Sequence, residues 1–162
     1  MIVYHGSHTE VKFPDSLYGR FNLDFGQGFY VTTLQKHAEK WAIRKSRRRQ
    51  GSPTISVFNF DISGLDILAF GGYTEDWLDF VISNRIGKPE LHQHDAIFGN
   101  IADDDVAGVV DEYIRLLSKN RVTPEIKTAW LQLLQYSEPN NQYCIISQKA
   151  IKAIKFRESY VL

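Results

Sequence analysis

A single cysteine, Cys144, leaves this 162-residue chain without an internal disulfide framework and without the thiol pairs of a structural zinc site. It sits in the apolar run Gln142-Tyr143-Cys144-Ile145-Ile146, which predicts a buried, unreactive thiol. Net charge is missing as well. The 19 basic residues balance 19 acidic ones, which argues against a uniformly basic nucleic-acid binder and leaves room only for local patches. No apolar run reaches the roughly 20 residues of a membrane span, and Met1 leads directly into Ile2-Val3-Tyr4 with no basic leader, so a cytoplasmic protein with no membrane contact is expected. His92 and His94 have no third ligand nearby and read as loop residues, so no metal is expected. Repeats, low-complexity tracts and linkers are absent too, and the length fits one domain over 1–162, large enough to bury a core.

What is present is ordinary apolar content at 43% and a high aromatic share of 13%, which suits either ligand stacking or a compact β core. The chain is organised around Asp24-Phe25-Gly26-Gln27-Gly28-Phe29-Tyr30-Val31-Thr32-Thr33. Two glycines allow backbone geometry or close approach that a side chain would block. Phe29-Tyr30-Val31 reads as a strand, and Thr32 or Thr33 as the cap of a helix over 33–48. Ala38, Trp41, Ala42 and the stem of Lys45 mark that helix's packed face, and five cations between Arg44 and Arg49 crowd its end. Those cations suit the negative end of the helix dipole, or the phosphates of a cofactor or nucleic acid.

Strands are further expected at 2–5, 54–61, 95–99, 142–146 and 155–161, with a short apolar segment at 65–70. Helices are expected after Thr74, after the acidic triplet Asp103-Asp104-Asp105, after Thr123-Pro124 and over 147–154. Trp77, Leu78, Val81, Ile82 and Ile86 form one buried face, and Ile126, Ala129, Trp130, Leu133 and Leu134 another. The whole is an α+β domain. Residues 8–24 form a connecting loop long enough to be a binding loop, and it carries Arg20.

Three separated pieces resemble one family. Tyr4-His5-Gly6-Ser7 is similar to the first signature of the diphtheria-toxin and poly-ADP-ribose-polymerase class of ADP-ribosyltransferases. Phe25-Gly26-Gln27-Gly28-Phe29-Tyr30 with its following helix resembles the second, and Asn141-Gln142-Tyr143-Cys144-Ile145-Ile146 the third. The middle of the chain is closer to a less characterised bacterial family of small toxin-like proteins.

The resemblance implies split, curved β-sheets with flanking helices and NAD bound as substrate in a cleft between them. It casts His5 on the nicotinamide-side ribose, Gly6 and Ser7 at the carboxamide end, and Tyr30 stacked on the nicotinamide ring beside Gly28. Trp41 is a loose match to a second stacking aromatic, and Arg20, on its charge and loop position and not on a motif match, is assigned to the diphosphate or adenosine. A tyrosine face also attracts a cationic ring on physical grounds alone. Gln142 stands where the family usually has a catalytic glutamate. An amide can hydrogen-bond but carries no charge, which disfavours polymer elongation. What the resemblance leaves is mono-ADP-ribosylation of a protein or nucleic-acid acceptor, with a self-activated acceptor or with Glu138 or Asp104 assisting; one form it allows is the toxin of a toxin–antitoxin pair with an antitoxin protein as partner. The alternative is a silent NAD, ADP-ribose or nucleic-acid binding module of the same fold.

Overall fold

The computed structural model describes residues 1–90, 92–102, 104–135 and 140–162, and at 18, 104 and 105 the main chain only. The fold is α+β, with two open sheets and, among the described residues, five α-helices. One sheet has the order β1 (Ile2–Ser7), β3 (Thr54–Phe60), β7 (Ile154–Val161), all antiparallel. The other has the order β2 (Phe29–Val31), β6 (Gln142–Ile145), β5 (Ala96–Gly99), β4 (Ile67–Ala69). Its β4–β5 pair is parallel, because the intervening α2 (Glu75–Arg85) carries the chain back to the same end.

Strand alternation explains the layers. Val3, Phe29, Val31, Phe58, Phe60, Tyr143 and Ile145 point from both sheets into one shared core. The opposite face of β1 and β3 is covered by α1 (Gln35–Arg48), and the opposite face of β5 and β6 by α2, α3 (Asp104–Ser118) and α4 (Pro124–Leu134). The short α5 (Gln148–Ala153), capped by Ser147, feeds β7. Among the described residues no helix is long and apolar enough to cross a membrane.

Helix α1 lies against β1 because the contact is made of small residues. A methyl group at Gly6 would stand 1.9 Å from the Ala38 carbonyl oxygen and 2.8 Å from the Ala42 nitrogen. Ala38 and Ala42 are buried there, while Trp41 is only half-buried and belongs to none of the core clusters. The start of α1 differs from the sequence expectation. Leu34 occupies the cap position without a side-chain bond, and the Thr32 hydroxyl accepts from the Leu34 amide one step earlier. Thr33 is drawn away by Asn141, whose Oδ1 accepts from the Thr33 amide at 3.1 Å and ties β2 to the start of β6. Two apolar faces are also narrower than their spacing suggests: Ile86 is exposed past the end of α2, and Ala129 and Leu133 are exposed on α4.

Candidate functional site

The two sheets part at one place. Tyr4 and Thr32 exchange both backbone hydrogen bonds, 2.8 and 3.0 Å, and this bridge is the described link between β1 and β2. One antiparallel step further would set Gly6 opposite Tyr30, with the amide and carbonyl of each turned toward the other. That pair is not made. The His5 imidazole takes the Tyr30 carbonyl instead, at 2.7 Å to Nδ1. Gly6 therefore presents its own amide and carbonyl to the split, while its missing side chain is accounted for by α1.

A carbonyl only accepts, so Nδ1 of His5 carries the proton and Nε2 is left as an acceptor. The ring stacks on Phe29, 4.6 Å between centroids and 24° between planes. His5 keeps some solvent contact, yet protein crowds it closely. Burial, with the positive charge of Lys45 nearby, pushes its pKa down to about 3 against the opposing Tyr30 carbonyl. It is a neutral imidazole at any physiological pH.

Lys45 reaches this region because it follows Ala38 and Ala42 on the packed side of α1. Burial, Arg49 and Arg20 together push its pKa down to about 8. Arg20 is brought in by its loop. Gln27 Nε2 donates to the carbonyls of Leu17 and Gly19, at 2.7 and 3.1 Å, and a methyl group at Gly19 would meet the Gly28 carbonyl oxygen at 2.5 Å. The 16–20 segment is thus clasped onto the organising turn, with the charges of Arg20 and Arg49 both felt at Lys45 and no ion pair to any of the three among the described residues.

The organising turn uses its two glycines differently. Gly26 has φ +75°, a conformation other residues adopt only with strain. Gly28 is a close approach: a methyl group there would stand 2.4 Å from Cys144 Sγ, so a cysteine thiol fills the space its missing side chain leaves. Cys144 is fully buried and burial pushes its thiol up to about 12, as its apolar run predicts. The Tyr30 phenol closes back on the turn, donating to the Gly26 carbonyl at 2.7 Å and accepting from the Phe25 amide at 3.1 Å. It leaves β2 on the face opposite to Phe29. His5 and Tyr30 are therefore joined through the Tyr30 main chain and not ring to ring.

On that same face stands Asp24, which the sequence placed in the turn without a role. Arg85 donates to its Oδ1 from Nε and Nη2, at 2.9 and 2.7 Å, and the Ala102 amide donates to Oδ2 at 3.1 Å. Gln142, buried on β6, approaches Oδ2 through Nε2 at 3.4 Å. A carboxylate only accepts, so Nε2 must face it and the Gln142 carbonyl oxygen points the other way, as a fixed acceptor. No local signal links Asp24 to Arg85, which lies 61 residues on.

Ser7 is buried at the end of β1 and Trp41 carries the Arg44 guanidinium over its ring at 5.6 Å. Glu138 and the side chain of Asp104 lie outside the described residues. His92 and His94 stack on each other in a loop, and among the described residues no three His, Cys, Asp or Glu side chains gather. A cavity of about 420 Å³ opens elsewhere, between α2, α3 and the start of α4, and none of the residues expected to bind NAD lines it.

A family model described as "Protein of unknown function (DUF3990)" matches residues 1–156, and the chain belongs to that family. No curated protein and no solved structure matches it.

Proposed function

We propose that this DUF3990 protein binds NAD at the split between β1 and β2 and transfers ADP-ribose from it to an acceptor. What supports this reading is the junction itself: a neutral His5 pinned by the Tyr30 carbonyl, with the Gly6 backbone free on one side and Lys45, Arg20 and Arg49 gathered on the other. Each group has a counterpart in a dinucleotide. His5 Nε2 accepts from a ribose hydroxyl, Gly6 meets the carboxamide with one donor and one acceptor, and the cations face the diphosphate. The Tyr30 ring, its hydroxyl fixed by the turn, packs against the α2–α4 core on the face of β2 away from His5, so the nicotinamide stacking implied by the resemblance is no part of this proposal.

Nicotinamide leaves when the bond from its nitrogen to the ribose carbon breaks. The bonding pair goes to the ring, which departs neutral, so no strong acid is needed. Positive charge builds on the sugar, and the acceptor attacks that carbon and gives up its proton. An amide dipole at Gln142, backed by the Asp24 carboxylate that its Nε2 faces, would answer this charge more weakly than the single carboxylate usual in the family.

The experiment is NAD labelled in its adenylate portion, incubated with purified protein and with lysate. Nicotinamide release and labelling of an acceptor are expected, both reduced at least about 100-fold in His5→Ala. Absence of turnover and of calorimetric NAD binding removes the reading. A second reading, a silent NAD or ADP-ribose binder, is favoured by one observation: Arg85 matches the Asp24 charge. Binding without nicotinamide release selects it. If the chain is the toxin of a toxin–antitoxin pair, induced wild type arrests growth and His5→Ala does not.

A further inference from the structure

We propose that the basic face of α1 is a docking surface for single-stranded nucleic acid, and that this strand is the acceptor. The second half rests on the transferase reading; the first does not. Residues 36–49 carry seven cations and one acid, Glu39, in a chain of zero net charge. Residues 61–112 carry twelve acids and two cations, so the protein's field draws an anionic polymer to α1 and repels it from the middle of the chain.

Arg47, Arg48 and Arg49 are exposed, and no ion pair among the described residues engages them or Lys40. Cations left unmatched in this way suit phosphates. Two of them, Arg47 and Arg48, extend beyond the group beside His5, and the two phosphates of one dinucleotide would leave them unused. A longer polyanion accounts for the surplus.

Aromatic groups are interleaved with the charge. Trp41, Arg44, Lys45 and Arg48 share one helix face by their spacing, and the Arg44 guanidinium covers the Trp41 ring. Phe21 is 73% exposed and adjoins Arg20, whose charge is felt at Lys45. Flat, cation-flanked platforms suit unpaired bases, which stack on them irrespective of sequence. Their aromatic faces attract no carboxylate of an acidic protein and are inaccessible to bases paired in a duplex. The track also begins at Lys45, whose charge is felt at His5, so a strand lying on it is led toward the proposed reaction site.

The test uses the full chain with a labelled single-stranded oligonucleotide of about twelve nucleotides, its duplex, and polyglutamate of similar length, followed by anisotropy across a salt series. The single strand should bind best. In Arg47→Gln/Arg48→Gln the slope of log affinity against log salt should flatten by about 1.4, and Phe21→Ala should weaken binding about tenfold. NAD binding by calorimetry should be unchanged in Arg47→Gln/Arg48→Gln. No binding at about 50 mM salt, or polyglutamate binding as tightly and indifferently to Phe21→Ala, overturns the docking surface. Oligonucleotide binding without NAD binding keeps the surface and removes the transferase reading. Both ligands binding, with label passing from NAD to lysate protein and none to the strand, overturns the strand as acceptor.

Discussion

Two charged groups flank the organising turn, and the fold treats them in opposite ways. Asp24 is matched on every side: Arg85 holds one oxygen, the Ala102 amide and Gln142 face the other, and Arg85 extends to Asp111. Lys45 has for company a neutral imidazole and two arginines, and like charge joins burial in pushing it down. The groove between α2, α3 and α4 belongs with Asp24 in this respect, since its Lys127 is bridged to Glu75 and Asp79. A charge with all partners supplied defines geometry. One that is desolvated beside like charges opposes folding, and an anion from outside would relieve it.

The largest effect comes from breaking the matched side. Arg85→Met leaves a largely buried Asp24 carboxylate without its cation, and unfolding in urea should show a loss of about 3 kcal/mol. Adding Asp24→Asn in the same chain should recover more than about 1 kcal/mol of that loss, because the stranded charge is gone. A loss below about 0.5 kcal/mol for Arg85→Met would mean that the pair is a surface contact of little weight.

An intermediate effect isolates the imidazole at the junction. The folded-state pKa of His5 lies near 3, below its unfolded value of 6.5. Between those values the unfolded chain binds a proton that the native state refuses, so the stabilisation is complete above pH 6.5 and declines as pH falls. From pH 7 to pH 5 this one group should remove about 2 kcal/mol. The Asp95 carboxyl, held down to about 2 chiefly by the Ser147 hydroxyl and the Asp66 amide, is lost only below its unfolded value of 3.8, in a separate window. His5→Gln should therefore be less stable at pH 7 and flatter between pH 7 and 5 than wild type. Parallel curves would contradict a neutral, crowded imidazole.

How much of this was legible in the sequence follows from the range of the forces. Strand and helix order was readable because period-2 and period-3.6 apolar patterns act within a few residues, and Thr74, Thr123 and Ser147 each cap the helix they precede. The start of α1 was not, because Asn141, more than a hundred residues away, competes for Thr33. Gly28 was readable as a position where a side chain is excluded, but not that a cysteine thiol excludes it; the helix carbonyl that closes on Gly6 had no signal in the sequence. His5 is tied to the Tyr30 main-chain carbonyl while the two rings lie on opposite faces of β2, an arrangement that no side-chain reading could single out. Arg20 and Lys45 were separately visible as cations; only the clasp of Gln27 on the 17–19 main chain brings them together. Asp24–Arg85 has no signature at all at its spacing.

The smallest effect has the opposite sign to the first, and it tests the unmatched side. Lys45 titrates near 8 in the folded chain, below 10.5, so below pH 8 the native state carries the full cost of holding a charge that the unfolded chain holds freely. Lys45→Met removes that charge and fills the same volume with an apolar stem. At pH 7 the ligand-free protein should gain on the order of 1 kcal/mol, after allowance for its remaining solvent contact, where Arg85→Met loses stability. The gain should fade as pH rises past 10.5, where the lysine is neutral in both states. Binding should move the other way: NAD affinity lower by about tenfold in Lys45→Met at pH 7, and in wild type falling as pH rises through 8, since an anion favours the charged amine. A Lys45→Met protein that is less stable and binds NAD no worse would place Lys45 with Asp24, among the charges that only hold the fold together.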